Sequence, residues 1–140
     1  MLVAFEILHS MSRKKAIKKG HMAVKIDMNK AYERVEWPFL SAVIRKMNFP
    51  TSWINLVMDC ISTTTLSFQL NGSDAVSLSP SKGLCQGCSL SPYLFLLCSE
   101  AFSSLIVNLE RNGREIGIRS SRDSPLISHL LFADDCMLFS

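Results

Sequence analysis

No secretory signal opens this chain. The short N-terminal apolar run is broken by Glu6, and no charged segment precedes it. A membrane-length apolar run is also missing. The longest candidate, Tyr93 to Leu109, carries Ser99, Glu100, Ser103, Ser104 and Asn108, which reads as too short and too polar to span a bilayer. There is no internal repeat and no low-complexity tract, so repeat arrays are excluded. Charge of one sign is scarce: 15 Lys and Arg stand against 12 Asp and Glu, and a net +3 permits a polyanionic partner without demanding one. A second cysteine pair is absent as well. The five cysteines include Cys85-x-x-Cys88, but Cys98, His129 and Cys136 follow at irregular spacing, which leaves a zinc finger without its other half. Together these absences predict an intracellular chain, nuclear or cytoplasmic and not secreted, with free thiols. Asn71-Gly72-Ser73 then reads as a hairpin turn rather than a glycosylation acceptor.

What is present is enough for a folded domain. With 140 residues and 48% of them apolar, the chain is one domain at most, able to bury a real core. Val3, Ile7, Leu8 and Met11 predict a helix from Leu2 to about Arg13. Arg13, Lys14, Lys15, Lys18 and Lys19 follow as a basic cluster, either a solvated helix end or a phosphate-backbone contact, with Gly20 as a stop. The alternation in 21–28 predicts a strand that buries Val24, Ile26 and Met28 and turns Ala23, Lys25 and Asp27 the other way. Asp27 then ends that strand, and 29–34 turns the chain past Tyr32.

Trp37-Pro38 starts a helix with the stripe Phe39, Leu40, Val43, Ile44 and Met47, and Asn48-Phe49-Pro50 ends it. Thr51 or Ser52 is the expected cap of another helix, with Trp53, Leu56, Val57, Cys60 and Ile61 facing inward. Residues 64–70 and 75–78 read as a hairpin. The loop 82–92 holds Gly83 and Gly87, and such a loop lets backbone N–H groups approach a ligand ahead of a helix start that favours anions. A Ser cap and Pro92 begin a helix that runs to Arg111, with Leu94, Cys98, Phe102, Leu105 and Leu109 inward and Asn112-Gly113 as its stop. A short strand is expected at 115–119.

The last stretch, Ile127 to Ser140, has two strand-forming runs flanking adjacent carboxylates, a hairpin with Asp134 and Asp135 at its bend. Two like charges beside hydrophobic neighbours are costly. A divalent cation would remove that cost, and Mg²⁺ is held by one or two carboxylates plus substrate phosphates. Taken alone, the pair is better explained as a solvated acidic turn.

Three elements nevertheless recur together: Lys25-Ile26-Asp27-Met28-Asn29-Lys30-Ala31-Tyr32-Glu33-Arg34-Val35-Glu36-Trp37, then Gly83-Leu84-Cys85-Gln86-Gly87-Cys88-Ser89-Leu90-Ser91-Pro92-Tyr93-Leu94-Phe95, then Phe132-Ala133-Asp134-Asp135. In this order and spacing they resemble the reverse transcriptase domain of non-LTR (LINE-type) retrotransposons, most like those of plants, over nearly the whole chain. The three correspond to motif A near 22–37, motif B near 83–95 and motif C near 127–140. The resemblance implies an α+β fold: a reverse-transcriptase palm, an antiparallel sheet packed on helices, with part of the fingers, as a single partial domain over 1–140. The thumb and most of the fingers are expected outside these residues.

It also implies an RNA-directed DNA polymerase that joins a deoxynucleotide (dNTP) to a primer 3′-hydroxyl on an RNA template, with a DNA primer, no membrane partner and an open oligomeric state. Two Mg²⁺ ions, with Mn²⁺ as a substitute, would be held by the catalytic residues Asp27, Asp134 and Asp135. Tyr32 corresponds to the aromatic under the incoming sugar that disfavours a 2′-hydroxyl, and Gln86 and Gly87 to the loop that contacts nucleotide and template. Lys30 and Arg34 look like basic residues of motif A, with surface charge an equal reading.

Four positions depart from the pattern: Cys85 stands for an Arg, Cys88-Ser89 for Asp-Pro and Glu33 for Asp. Loss of that Arg removes a charged planar donor from a phosphate-rich site. Drift of this loop explains Cys85-x-x-Cys88 better than zinc or redox chemistry does. The alternative function is a catalytically silent retroelement remnant that at most binds nucleic acid.

Overall fold

A computed structural model describes the chain except residues 1, 14–20, 72, 115 and 122. The basic cluster from Lys14 to Lys19, the stop at Gly20, the Gly72 half of the hairpin turn and the start of the expected strand at Glu115 lie outside the described residues. The elements are α1 (Leu2–Arg13), β1 (Ala23–Asp27), a 3₁₀ turn (Tyr32–Arg34), α2 (Trp37–Lys46), α3 (Thr51–Ser62), β2 (Leu66–Leu70), β3 (Ser73–Leu78), α4 (Ser91–Arg111), β4 (His129–Phe132) and β5 (Asp135–Phe139). Helices with an antiparallel sheet make the fold α+β, as the sequence predicts. The chain separates into two compact units, Met1–Asn29 with Phe102–Ser140, and Lys30–Ala101. The division falls within α4.

In the first unit β1, β5 and β4 form one antiparallel sheet in that order. Met22 and Ser140 exchange both backbone hydrogen bonds, at 2.7 and 2.9 Å. Every second pair inward from them is therefore a non-hydrogen-bonded pair: Ala23 with Phe139, Lys25 with Met137, and Asp27 with Asp135. These residues share one sheet face, which packs at its Phe139 end on Ile7 of α1 and Ile118, with Met11, Ala23, Ile127, Leu130 and Met137 around them. Among the described side chains of α1 only Ile7 is buried, while Val3 and Leu8 of the expected stripe are exposed.

The alternation of β1 is as expected, but its burial is reversed. Ala23 packs into the core, whereas Val24 and Ile26 remain 38% and 37% exposed. The cause is position: β1 is an outer strand of the sheet, and its other face is not the one α1 covers. On that second face the central strand's Cys136 is buried, and His129 Nε2 lies 2.8 Å from Ser103 Oγ of α4. The strand expected at 115–119 reduces to a single bridge between Ile118 and Ile127.

The second unit is built on Val35, Leu40, Ile44, Ile54, Val57, Leu84, Leu94, Phe95 and Cys98. Pro in the first turn and a Schellman stop delimit α2: Asn48 at φ 61° follows it, with Asn48 N–H donating to Arg45 O and Phe49 N–H to Ile44 O. Phe39 of its expected stripe is 47% exposed. The N-cap of α3 is Pro50 with no side-chain cap, so neither Thr51 nor Ser52 plays that part. Its inward face is Trp53, Ile54, Val57, Met58 and Ile61, while Leu56 and Cys60 face out. Two overlapping apolar stripes existed on this helix, and the fit against Leu40 and Leu94 selects between them.

The same holds on α4. Its buried residues Leu94, Phe95, Cys98 and Ile106 leave Leu105 and Leu109 exposed. Its first intrahelical bond runs from Leu94 N–H to Leu90 O, so Leu90 rather than a serine holds the cap position. Gly113 at φ 80° ends it as expected. At 21 residues α4 is long and apolar enough to cross a membrane by length and composition, but one face supplies the core above.

Candidate functional site

Asp27, Asp134 and Asp135 come to one end of the sheet of the first unit. Asp27 closes β1 and Asp135 opens β5, and the register sets them opposite each other. The bend itself is Ala133-Asp134, one residue earlier than the sequence suggests, with Asp135 already paired to Phe132 in the strand. Ala133 takes φ 52°, a left-handed conformation that a turn of two residues requires and that alanine adopts at a cost. Met28 N–H donates to Asp134 O at 3.1 Å and ties the bend to the end of β1.

Asp27 and Asp135 stand directly across the ladder from each other, and like charges so placed are destabilising. Lys25, two residues before Asp27 on the same face, answers this. Its Nζ lies 3.0 Å from Asp135 Oδ1. The hydrogen bond to Asp135 and that carboxylate's charge raise the Lys25 pKa, with Asp27 and Asp134 adding to the effect. Sequence reasoning set Lys25 beside Asp27 but missed this partnership, although the alternation that carries it was legible. Among the described residues no three His, Cys, Asp or Glu side chains converge as a ready metal cage. The donor set still suits Mg²⁺, a hard ion that takes one or two carboxylates and completes its shell with water and phosphates.

The second unit holds the other expected residues. Tyr32 stacks on Phe95 with ring centroids 4.7 Å apart and 13° between planes. With Gln86, Gly87, Cys88, Ser89, Ser91 and Pro92 it lines a cavity of about 470 Å³. Tyr32 is thus both part of the core rim and a wall of this concavity. Gln86 and Gly87 are exposed.

The loop is fixed by Gly83. Its N–H donates to Val35 O at 2.8 Å, Leu84 N–H donates to Tyr32 O at 2.8 Å, and Trp37 Nε1 donates to Gly83 O at 2.7 Å. A Cβ on Gly83 would sit 2.8 Å from Glu33 O, so only glycine allows this approach. Lys82 Nζ also meets Glu36 Oε1 at 3.3 Å. The Trp37 and Gly83 contacts were not foreseen, since nothing in either local pattern points across 46 residues. Lys30 pairs with Glu33 at 3.6 Å on the surface, and Arg34 is exposed.

The family model described as reverse transcriptase (RNA-dependent DNA polymerase) matches residues 2–140. The chain belongs to the reverse transcriptase family. It is also similar to an uncharacterized mitochondrial protein of Arabidopsis thaliana, 53% identical over 70 residues. That match covers 50% of this chain and 57% of the relative. This member of the family carries the acidic sheet end and the glycine loop in separate units of its fold.

Proposed function

We propose that this chain is the catalytic palm portion of a LINE-type, non-LTR retroelement reverse transcriptase that acts inside the cell. The reaction is RNA-directed DNA synthesis: a primer 3′-oxygen bonds to the α-phosphorus of a dNTP, and pyrophosphate leaves. The observation that carries the reading is the register of β1 against β5, which pairs Asp27 with Asp135 within a chain matched over 2–140 by the family model. Asp27, Asp134 and Asp135 would hold two Mg²⁺ ions, or Mn²⁺. Bound there, the ions would make the 3′-hydroxyl a better nucleophile and offset charge on the departing pyrophosphate.

The remaining work falls to this chain's own groups. Lys25 fixes the orientation of the Asp135 carboxylate through the 3.0 Å contact. Tyr32, immobilised on Phe95, offers its ring to a deoxyribose and leaves no room for a 2′-hydroxyl. Gln86 supplies amide donors and an acceptor to the nucleotide, and Gly87, with no side chain, lets the backbone come close.

Primer extension on an RNA template tests the reading. We expect Mg²⁺-dependent extension that Asp27→Asn and Asp134→Asn each reduce by at least two orders of magnitude, the range seen when electrostatic stabilisation is removed. Extension that survives both substitutions refutes it. One observation favours a second reading, a silent remnant: Lys25 already occupies Asp135. In that case no divalent ion binds the chain and no extension occurs, with or without the substitutions.

A further inference from the structure

Cys85 and Cys88 are the outer residues of a four-residue turn whose centre is Gln86-Gly87. Gly87 takes φ 88° and faces open space, the conformation that the third position of a type II turn requires. Such a turn holds its first and last Cα atoms within about 7 Å, and a disulfide spans about 4.4–6.8 Å. Both thiols are exposed, and both line a cavity of about 490 Å³ together with Cys60. Cys85 Sγ leans over the turn, 3.6 Å from Gln86 O. A hydrogen bond from the Leu90 amide lowers the Cys88 pKa, burial opposes it, and the Ser91 amide and hydroxyl add smaller lowering effects. Cys98 and Cys136 are buried, and burial raises the pKa of each.

We propose that Cys85 and Cys88 form a dithiol redox site that low-molecular-weight disulfides of the glutathione class close to an intramolecular bridge. The Cys88 thiolate attacks one sulfur of the small disulfide and forms a mixed disulfide. One thiolate leaves and takes a proton from water. Cys85 then gives up its proton and attacks the Cys88 sulfur, which releases the second small thiol. Two protein thiols and one small disulfide become one protein disulfide and two small thiols, so atoms and electrons balance. The site does not depend on polymerase chemistry, and the bridge would close the loop beneath Gln86 and Gly87.

The 140-residue chain is incubated with oxidised glutathione at about pH 7, near the range where a lowered thiol pKa matters most. Samples are acid-quenched, alkylated and mapped by tandem mass spectrometry. Rates are compared in molecules whose Cys98 and Cys136 stay unlabelled, which are the folded ones. The expected result is a Cys85–Cys88 bridge that forms several-fold faster than Cys60 acquires glutathione. Cys85→Ser should stop at the mixed disulfide on Cys88, Cys88→Ser should slow the first attack several-fold, and denaturant should erase the lead over Cys60. Equal rates at Cys88 and Cys60 in the folded chain would overturn the proposal. So would a mixed disulfide on Cys88 that persists while Cys85 is present.

Discussion

Gly83→Ala should cost far more than Gly87→Ala, although both glycines have φ near 90°. At either position an alanine must adopt a left-handed backbone, at about 1–2 kcal/mol. At Gly87 that is the whole penalty, because its Cβ would enter open space. At Gly83 the Cβ would meet Glu33 O at 2.8 Å, Glu33 Cα at 3.0 Å and Glu33 C at 3.1 Å, all backbone atoms that cannot rotate away. Loop and 3₁₀ turn must separate, which weakens the bonds to Val35 O, Tyr32 O and from Trp37 Nε1. At about 0.5–1.5 kcal/mol net for each bond, losing two of them brings the total to roughly 2–5 kcal/mol. The difference between the variants is then about 2 kcal/mol, which shifts a urea midpoint by about 1 M when m is about 2 kcal/mol/M. Equilibrium urea unfolding followed by tryptophan fluorescence reads this, since Trp37 is itself in the contact. A midpoint for Gly83→Ala equal to or above that of Gly87→Ala would refute the clash argument.

Other outcomes follow from single sites. Ala133→Gly should raise stability by up to about 1 kcal/mol, because glycine adopts the φ 52° of the bend without strain; thermal unfolding measures it. Burial pushes the Cys98 thiol from 9.0 up to about 11, so its contribution to stability is complete below pH 9.0 and is lost as pH rises toward 11. Unfolding midpoints across that interval should fall less steeply for Cys98→Ala. Lys25→Met leaves Asp27, Asp134 and Asp135 without their cation, so stability should drop in metal-free buffer and recover with Mg²⁺ more than in the parent chain. Equal midpoints in both buffers would remove Lys25 from the site.

Much of the candidate site was legible because it rests on local chemistry. Strand alternation set Lys25 and Asp27 on one face, and the glycines at 83 and 87 announced a loop of unusual backbone. Helix bounds came from proline, Asn48 and Gly113, whose effects act within a turn. The errors lie where a choice was not local. On α3 and α4 more than one apolar stripe satisfied helical periodicity, and the neighbours that select Ile54 and Ile106 over Leu56 and Leu105 are distant in sequence.

The sequence by itself determined the order of helices and strands, the residue types at each turn and the spacing that marks the family. Those depend on periodicity, dihedral preference and capping, which few residues encode. Tertiary structure alone decided which face of β1 is buried, that Asp135 opens a strand opposite Asp27, and that Gly83 must lie against Glu33. Strand register and close backbone approach are properties of two segments at once, and no single stretch of chain carries them.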